Sequence, residues 1–375
     1  MAAMNTDIAF TDEQAMLLET ATAFCRDKSP IRAVRTLLLS DTGFDRAVWD
    51  EMVALGWPGI AIPETHGGSG LSLAEIATIT EPMGRHLLAT PFVSTQLAIQ
   101  ALLATGDAAL LPRIAQGAIA TVALFEAEGD WDLSHIEATA TRRGASVILD
   151  GQKTLVTDAA VASIILVSVI ADGAPALALL DPVPPGRLRP EIVIDESRRT
   201  AALDLTGIEI PATSLITGPA AQAALAAIRN AALLLATAEA AGGIAGVLDV
   251  TVEYLNTRTT FGRKIGSYQA LKHGCADLLC TLERARSHVH HAATLMADGD
   301  DAEIALRMAK AEAGDGFVQA GDRAVQFHGG FGFTWDCDAQ LYLRRALWLQ
   351  PWFGDAGHQR QGLADRLWPL AAPAA

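Results

Sequence analysis

Residues 324–345 read AVQFHGGFGFTWDCDAQLYLRR, a glycine-rich break between two segments of helical character. Gly329, Gly330 and Gly332 can take positive φ at little steric cost and let a ligand approach bare amides, so the break is a candidate cradle for an anionic group. A helix C-cap followed by a turn would use the same residues. A second segment bears on the choice. Residues 258–269, RTTFGRKIGSYQ, with Lys272 and His273 just beyond, close one long apolar stretch and open another.

Working outward, 375 residues are enough for two or three domains with a large core. Alanine and leucine dominate, and runs such as 221–227 and 231–241 favour helix, so a mostly helical chain is expected. The formal charge of −15 disfavours nucleic acid and anionic membrane surfaces as partners, and an anionic substrate would need a local basic patch. Cys25, Cys275, Cys280 and Cys337 lack metal-ligand spacing and fit reduced thiols in a cytosol. His288, His290 and His291 have no cysteine or acid at ligand spacing and read as a solvated helix face. The opening MAAMNTDIAFTDEQ carries early acids rather than a basic stretch followed by an apolar core, so no secretory signal is expected. The apolar runs at 160–169 and 231–241 are too short to cross a bilayer. A cytoplasmic protein is expected.

Thr11 followed by acids and helically spaced apolar residues marks a first helix start. Helical patterning continues to about Ile119, interrupted by loops at 57–71 and 81–91. From Ala120 it gives way to short strand-like runs: TVALFEA, HIEATATRR, ASVILDG, TLVTD, SIILVSVI, APALALLD, EIVIDE and GIEIP. These predict a small β-barrel or sandwich over 120–217. Helical patterning returns over 218–375, giving three expected domains: 1–119, 120–217 and 218–375. Gly242 and Gly246, in an alanine-rich run, read as close helix packing, and Glu239 as a helix-face charge or core ion pair.

The two glycine-bearing segments together resemble the C-terminal domain of the acyl-CoA dehydrogenase family. Its marks are an Arg-x-x-Phe-Gly turn, a Gln shortly after, a Lys-His pair and a later Gln-x-His-Gly-Gly-x-Gly-Phe. The loop with Pro63, Glu64, Gly67 and Gly68 is similar to the family's Pro-Glu-x-x-Gly-Gly, and Gly151–Thr157 to its Gly-x-Lys-x-x-Ile-Thr. The resemblance covers the whole chain and implies a fold that is mainly α with a central β domain: an N-terminal helical domain, a β-barrel and a C-terminal four-helix bundle. It also implies flavin adenine dinucleotide (FAD) as cofactor, an acyl-CoA substrate, an electron-transfer flavoprotein or similar acceptor, and a homo- or hetero-tetramer. Through it Arg258 would bind the FAD pyrophosphate held by a neighbouring subunit, its planar fork meeting phosphate oxygens in pairs. Phe261 would pack on the cofactor, and Gln269 and Gln326 would read adenine or ribose. Gly329 and Gly330 would lie under the adenosine diphosphate moiety, and Thr157 would hydrogen-bond near flavin N5.

The chain departs from the family pattern in three places. Phe125–Asp132 (FEAEGDWD) stands where the family has Thr-Glu-Pro-x-x-Gly-Ser-Asp, a segment that contacts flavin and thioester. Counted without gaps from Phe333, the usual position of the catalytic glutamate holds Phe353. The alternative position, on the helix before the Arg-x-x-Phe-Gly turn, falls near Ala232. Phenylalanine cannot abstract a proton, and Asp355 is the closest carboxylate. The expectations are therefore dehydrogenation with Asp355 as base, or a role as one subunit of a mixed assembly. That assembly would resemble the heterotetrameric steroid side-chain acyl-CoA dehydrogenases, in which unlike homologues share FAD sites. A non-catalytic structural subunit, or a same-fold nitroalkane oxidase or flavin monooxygenase, are the alternatives.

Overall fold

The computed structural model describes residues 11–127, 131, 133 and 135–368. The first ten residues, with Glu128, Gly129, Asp130 and Asp132 of the departing segment, lie outside the described residues. Helices α1 (Asp12–Lys28), α2 (Ile31–Leu38), α3 (Arg46–Ala54), α4 (Leu73–Arg85), α5 (Phe92–Thr105) and α6 (Leu111–Ala115) come first. Strands follow: β1 (Ala120–Ala123), β2 (Thr139–Arg143), β3 (Ser146–Asp150), β4 (Gln152–Thr157), β5 (Ile164–Ala171), β6 (Ala174–Leu180), β7 (Leu188–Glu191), β8 (Thr200–Asp204), β9 (Ile208–Pro211) and β10 (Leu215–Ile216). Helix α7 (Gly218–Thr257), a hairpin of β11 (Thr259–Thr260) and β12 (Arg263–Lys264), and helices α8 (Gln269–Ala297), α9 (Glu303–His328), α10 (Ala339–Leu349) and α11 (Ala356–Leu367) complete the chain. The expected helical, β, helical order is what the chain adopts.

Contacts divide the chain into two compact units. The helical unit comprises residues through Ile31, Ser72–Leu88 and Leu233 onward. Helices α1 and α4 each begin with a reciprocal cap: Thr11 with Gln14, and Ser72 with Glu75. Helix α4 runs through Glu81–Arg85, where the sequence suggested a loop. Pro82 is carried inside it because nearly the whole helix is buried, and that burial outweighs one lost backbone bond. Within this unit α7 is buried continuously from Leu233 to Val247. By length and composition α7 could span a bilayer, contrary to the reading of its shorter apolar run, but its most apolar stretch is inside the protein. A Cβ built on Gly242 would stand 1.8 Å from the Glu81 carbonyl oxygen, and one on Gly84 2.1 Å from that of Glu239. The GxxxG spacing is thus close packing of α7 on α4. Glu239 is a core ion-pair partner of buried Arg345 on α10.

The second unit comprises Arg32–Leu71 and Ala89–Ala232. Its main sheet runs β10-β6-β5-β2-β3-β9, with β1 parallel to β5, and a second sheet runs β4-β8-β7. Val147, Leu149, Val156, Val167, Leu203 and Ile210 belong to one core drawn from both sheets. The structure corrects two strand expectations. Ile192–Glu196 of EIVIDE is not strand, and TAALD, not among the expected strands, is β8. Burial decides both: Ile192 is fully exposed, whereas Ala201 and Leu203 are in the core.

Adding a methyl at Gly242 forces α7 off α4. Gly242→Ala should lose about 1–3 kcal/mol, as overpacked cores do, and show a lower denaturant midpoint. Gly330→Ala, whose Cβ meets nothing within 4 Å, should leave the midpoint unchanged.

Candidate functional site

In the helical unit α7 ends at Thr257, and the chain turns back through β11 and β12, with Thr260 paired to Arg263. Phe261 and Gly262 form the two-residue turn at φ +53° and +76°, as a hairpin twist requires. Phenylalanine is a costly residue in that backbone region. Its ring is 91% exposed, so packing does not compensate.

Gly329 ends α9 at φ +61°, ψ −143°, a region open in practice to glycine alone. The glycine break is therefore a helix C-cap, with the Gly329 amide donating to the Gln326 carbonyl. Before it, His328 stacks on Tyr254 with centroids 4.2 Å apart, and the Tyr254 hydroxyl donates to the His328 carbonyl at 3.3 Å. Burial pulls His328 below the usual imidazole range, leaving it neutral near pH 7. A cleft of about 630 Å³ is lined by Tyr254, Arg258, Thr260, Ile265 and residues 327–331. The Arg258 side chain makes no hydrogen bond or ion pair to the described residues. An uncommitted guanidinium beside the exposed, side-chain-free backbone of Gly329 and Gly330 fits a phosphate-bearing group such as FAD. The structure brings Arg258, Gly329 and Gly330 together there. Gln269, at the start of α8, Gln326 on α9, and Phe261 are exposed and do not line the cleft. The Tyr254–His328 stack was not foreseen; a Tyr four residues before Arg258 was the only signal for it.

Between α10 and α11 the chain makes a tight corner. Phe353 is buried at φ +57°, and Gln359 donates to its carbonyl at 2.7 Å. Lys310 of α9 donates to the carbonyls of Leu349, Gln350 and Gly354 at 3.0, 2.8 and 3.1 Å. Burial pulls this lysine down to about 7, while Asp355 and Asp315 act in the opposite sense. Asp355 is exposed and caps α11, accepting from the His358 amide at 2.8 Å. Ala232 is fully buried.

In the second unit Thr157 ends β4, half-buried, opposite Thr200 of β8. The Thr200 hydroxyl is buried and has no partner among the described residues, an orphan that a bound ligand could satisfy. Glu126, within the departing segment, accepts from buried Lys153 at 2.5 Å and from the amides of Glu137 and Ala138 at 2.7 and 3.0 Å. Burial opposes its charge, but these donors hold the Glu126 carboxyl below its usual range. Phe125, where the family has a threonine, packs edge-on to Trp131 at 4.8 Å. No group of three metal-ligating side chains forms among the described residues.

Family models for the acyl-CoA dehydrogenase N-terminal and C-terminal domains match residues 11–118 and 221–368. Acyl-CoA dehydrogenase IpdE2 of Mycolicibacterium smegmatis is 31% identical, over 90% of this chain and 93% of its own length. The chain belongs to the acyl-CoA dehydrogenase family. The members it resembles are oxidoreductases. Among solved structures, the Tcur3481–Tcur3483 steroid ACAD is 27% identical with a TM-score of 0.85, covering 95% of this chain and 98% of that one. A chain of the ChsE4–ChsE5 complex from Mycobacterium tuberculosis is 26% identical with a TM-score of 0.88, covering 98% and 100%.

The Lys310 site makes stability depend on pH. Its folded value, about 7, lies below the ordinary 10.5. The unfolded chain therefore binds more protons between the two, and stability rises with pH across that window. Lys310→Met should lose this rise in denaturation curves taken from pH 7 to 10, and should be destabilised overall by three unpaired carbonyls.

Proposed function

We propose that this acyl-CoA dehydrogenase family member takes part in flavin-dependent α,β-dehydrogenation of an acyl-CoA thioester, as one subunit of a mixed tetramer whose homologous partner supplies the base. The α10–α11 corner carries the reading. The reaction needs a carboxylate at the substrate Cα, yet position 353 is a buried phenylalanine and the nearest carboxylate, Asp355, is engaged as a helix cap. Two solved relatives whose names join two chains support the assembly.

Bound FAD would supply the hydride acceptor. Arg258 would hold the pyrophosphate of an FAD held mainly by a neighbouring subunit, by paired, charge-assisted hydrogen bonds beside the exposed backbone of Gly329 and Gly330. Phe261 would pack against that same cofactor and Gln269 and Gln326 would read its adenine or ribose, while Thr157 of the second unit would hydrogen-bond near N5 of a bound flavin. The exposed ring of Phe261 and the uncommitted Arg258 are both explained by a group, or a neighbouring subunit, that covers them. The relative named a steroid ACAD supports a steroid-derived or other lipid acyl group. An electron-transfer flavoprotein would reoxidise the flavin in the cytoplasm. A second reading, a homotetramer with Asp355 as base, is favoured by the exposure of that carboxylate, which a local change of corner path would free.

Co-expression with the product of an adjacent homologous gene should yield one complex with fewer FAD molecules than subunits. A fully flavinated, active homotetramer of this chain alone would sink the mixed assembly. A colourless complex with no bound flavin would instead make the chain a structural subunit.

Arg258→Ala should weaken FAD by the ~1.5–3 kcal/mol of a charged hydrogen bond, measured as flavin lost on gel filtration; full retention counts against the phosphate role. In the same complex Asp355→Asn should leave flavin reduction by an acyl-CoA within about twofold. A fall of ~10²-fold, typical of a lost general base, would move the base to Asp355.

A further inference from the structure

Strand β4 contains one residue too many. Lys153 pairs with Leu203 and Val156 with Ala201, so three steps on β4 match two on β8. Thr154 and Leu155 together face the single residue Ala202, which is a β-bulge. Because side chains alternate with period two, the extra residue reverses the phase of everything after it. Lys153 and Val156, both buried, share the core face. Thr157 consequently stands on the opposite face. In an unbulged strand Lys153, Leu155 and Thr157 would share one face, and Thr157 would point into the core.

The bulge is strained and it is held. Leu155 has φ +53°, a backbone region that a leucine occupies only under constraint. Glu191, the last residue of β7, reaches across β8 to both bulged residues. One carboxylate oxygen accepts from the Thr154 hydroxyl at 2.5 Å and the other from the Leu155 amide at 2.8 Å. On its other side the Thr154 amide donates to the Phe125 carbonyl at 2.9 Å. Glu191 and Thr157 are moreover both register partners of Thr200, so they lie on one row across the sheet. The small side chain of Ala202, on that face of β8, leaves the carboxylate room to cross.

We propose that Glu191 is a positioning residue, which by clamping the β4 bulge turns Thr157 out of the core and toward the flavin. The inference rests on the reading of Thr157 as a flavin contact. It assigns a function to a carboxylate that the dehydrogenation itself does not use.

Two measurements test it. In the flavin-free chain, hydrogen exchange across residues 152–158 should quicken at least ~tenfold in Glu191→Ala, since a lost hydrogen bond exposes the Leu155 amide. Glu191→Gln, which keeps an acceptor for that amide, should restore most of the protection. In the flavin-bound complex, Thr157→Ala and Glu191→Ala should weaken FAD and shift its visible absorption in the same direction, each about two- to tenfold in affinity. Because one residue acts through the other, the double variant should be no worse than Thr157→Ala alone. Additive losses, or normal FAD binding in Glu191→Ala when Thr157→Ala is impaired, would overturn the assignment. If Thr157→Ala itself leaves bound FAD unchanged, the flavin reading of Thr157 fails and takes the assignment with it; unchanged exchange in Glu191→Ala would instead refute the clamp directly.

Discussion

The helical unit depends on how closely the second half of α7 can approach its neighbours. A helix buried on every side must give up side-chain volume wherever another backbone crosses it. Gly242 and Gly84 let α7 and α4 meet main chain to main chain, and Gly243 makes way for the ring of Phe317 on α9. Gly246 admits Tyr342 of α10, whose hydroxyl donates to the Arg85 carbonyl. These contacts set where α9 and α10 lie, and hence where the glycine cleft and the α10–α11 corner are placed.

Buried charge completes what the small residues begin. Arg345 with Glu239, Lys310 with three carbonyls, and Lys153 with Glu126 are all nearly or wholly buried. Such groups add little net stability but cost several kcal/mol when one partner is removed, about 3–5 in measured cases. Their effect is to make one arrangement much better than its neighbours. Lys310 illustrates this, since its Nζ selects the single corner path that brings the carbonyls of Leu349, Gln350 and Gly354 to one point.

The order of helices and strands was legible because amphipathic period and turn residues are local signals. Of the cleft, Arg258, Gly329 and Gly330 were legible, because glycines and an arginine at set spacing stand out in the sequence, whereas the Tyr254–His328 stack was not. What escaped was non-local. EIVIDE has the β-branched composition of a strand, but its isoleucines face solvent, while alanine-rich TAALD is strand because both its neighbours pair with it. The Pro82 helix, the Lys310 corner and the Glu191 clamp depend on partners far along the chain. The β4 bulge is invisible in GQKTLVT, since only the partner strand reveals the extra residue.

Backbone strain links the places where chemistry is proposed. Phe261, Leu155 and Phe353 all have positive φ, an expensive choice for bulky side chains at about 1–3 kcal/mol each. Each is imposed by a different neighbour: a two-residue hairpin, the Glu191 carboxylate, and the Lys310–Gln359 pair. At 353 the positive φ is held although the side chain has no proton to exchange. Path and chemistry are therefore separable at that corner, because main-chain carbonyls, that of Phe353 among them, receive the hydrogen bonds that hold it, whatever side chain stands at 353. On the proposed reading, a corner held this way would keep its path without a base at 353. That is the condition under which an unlike subunit can complete the reaction without either chain changing its fold.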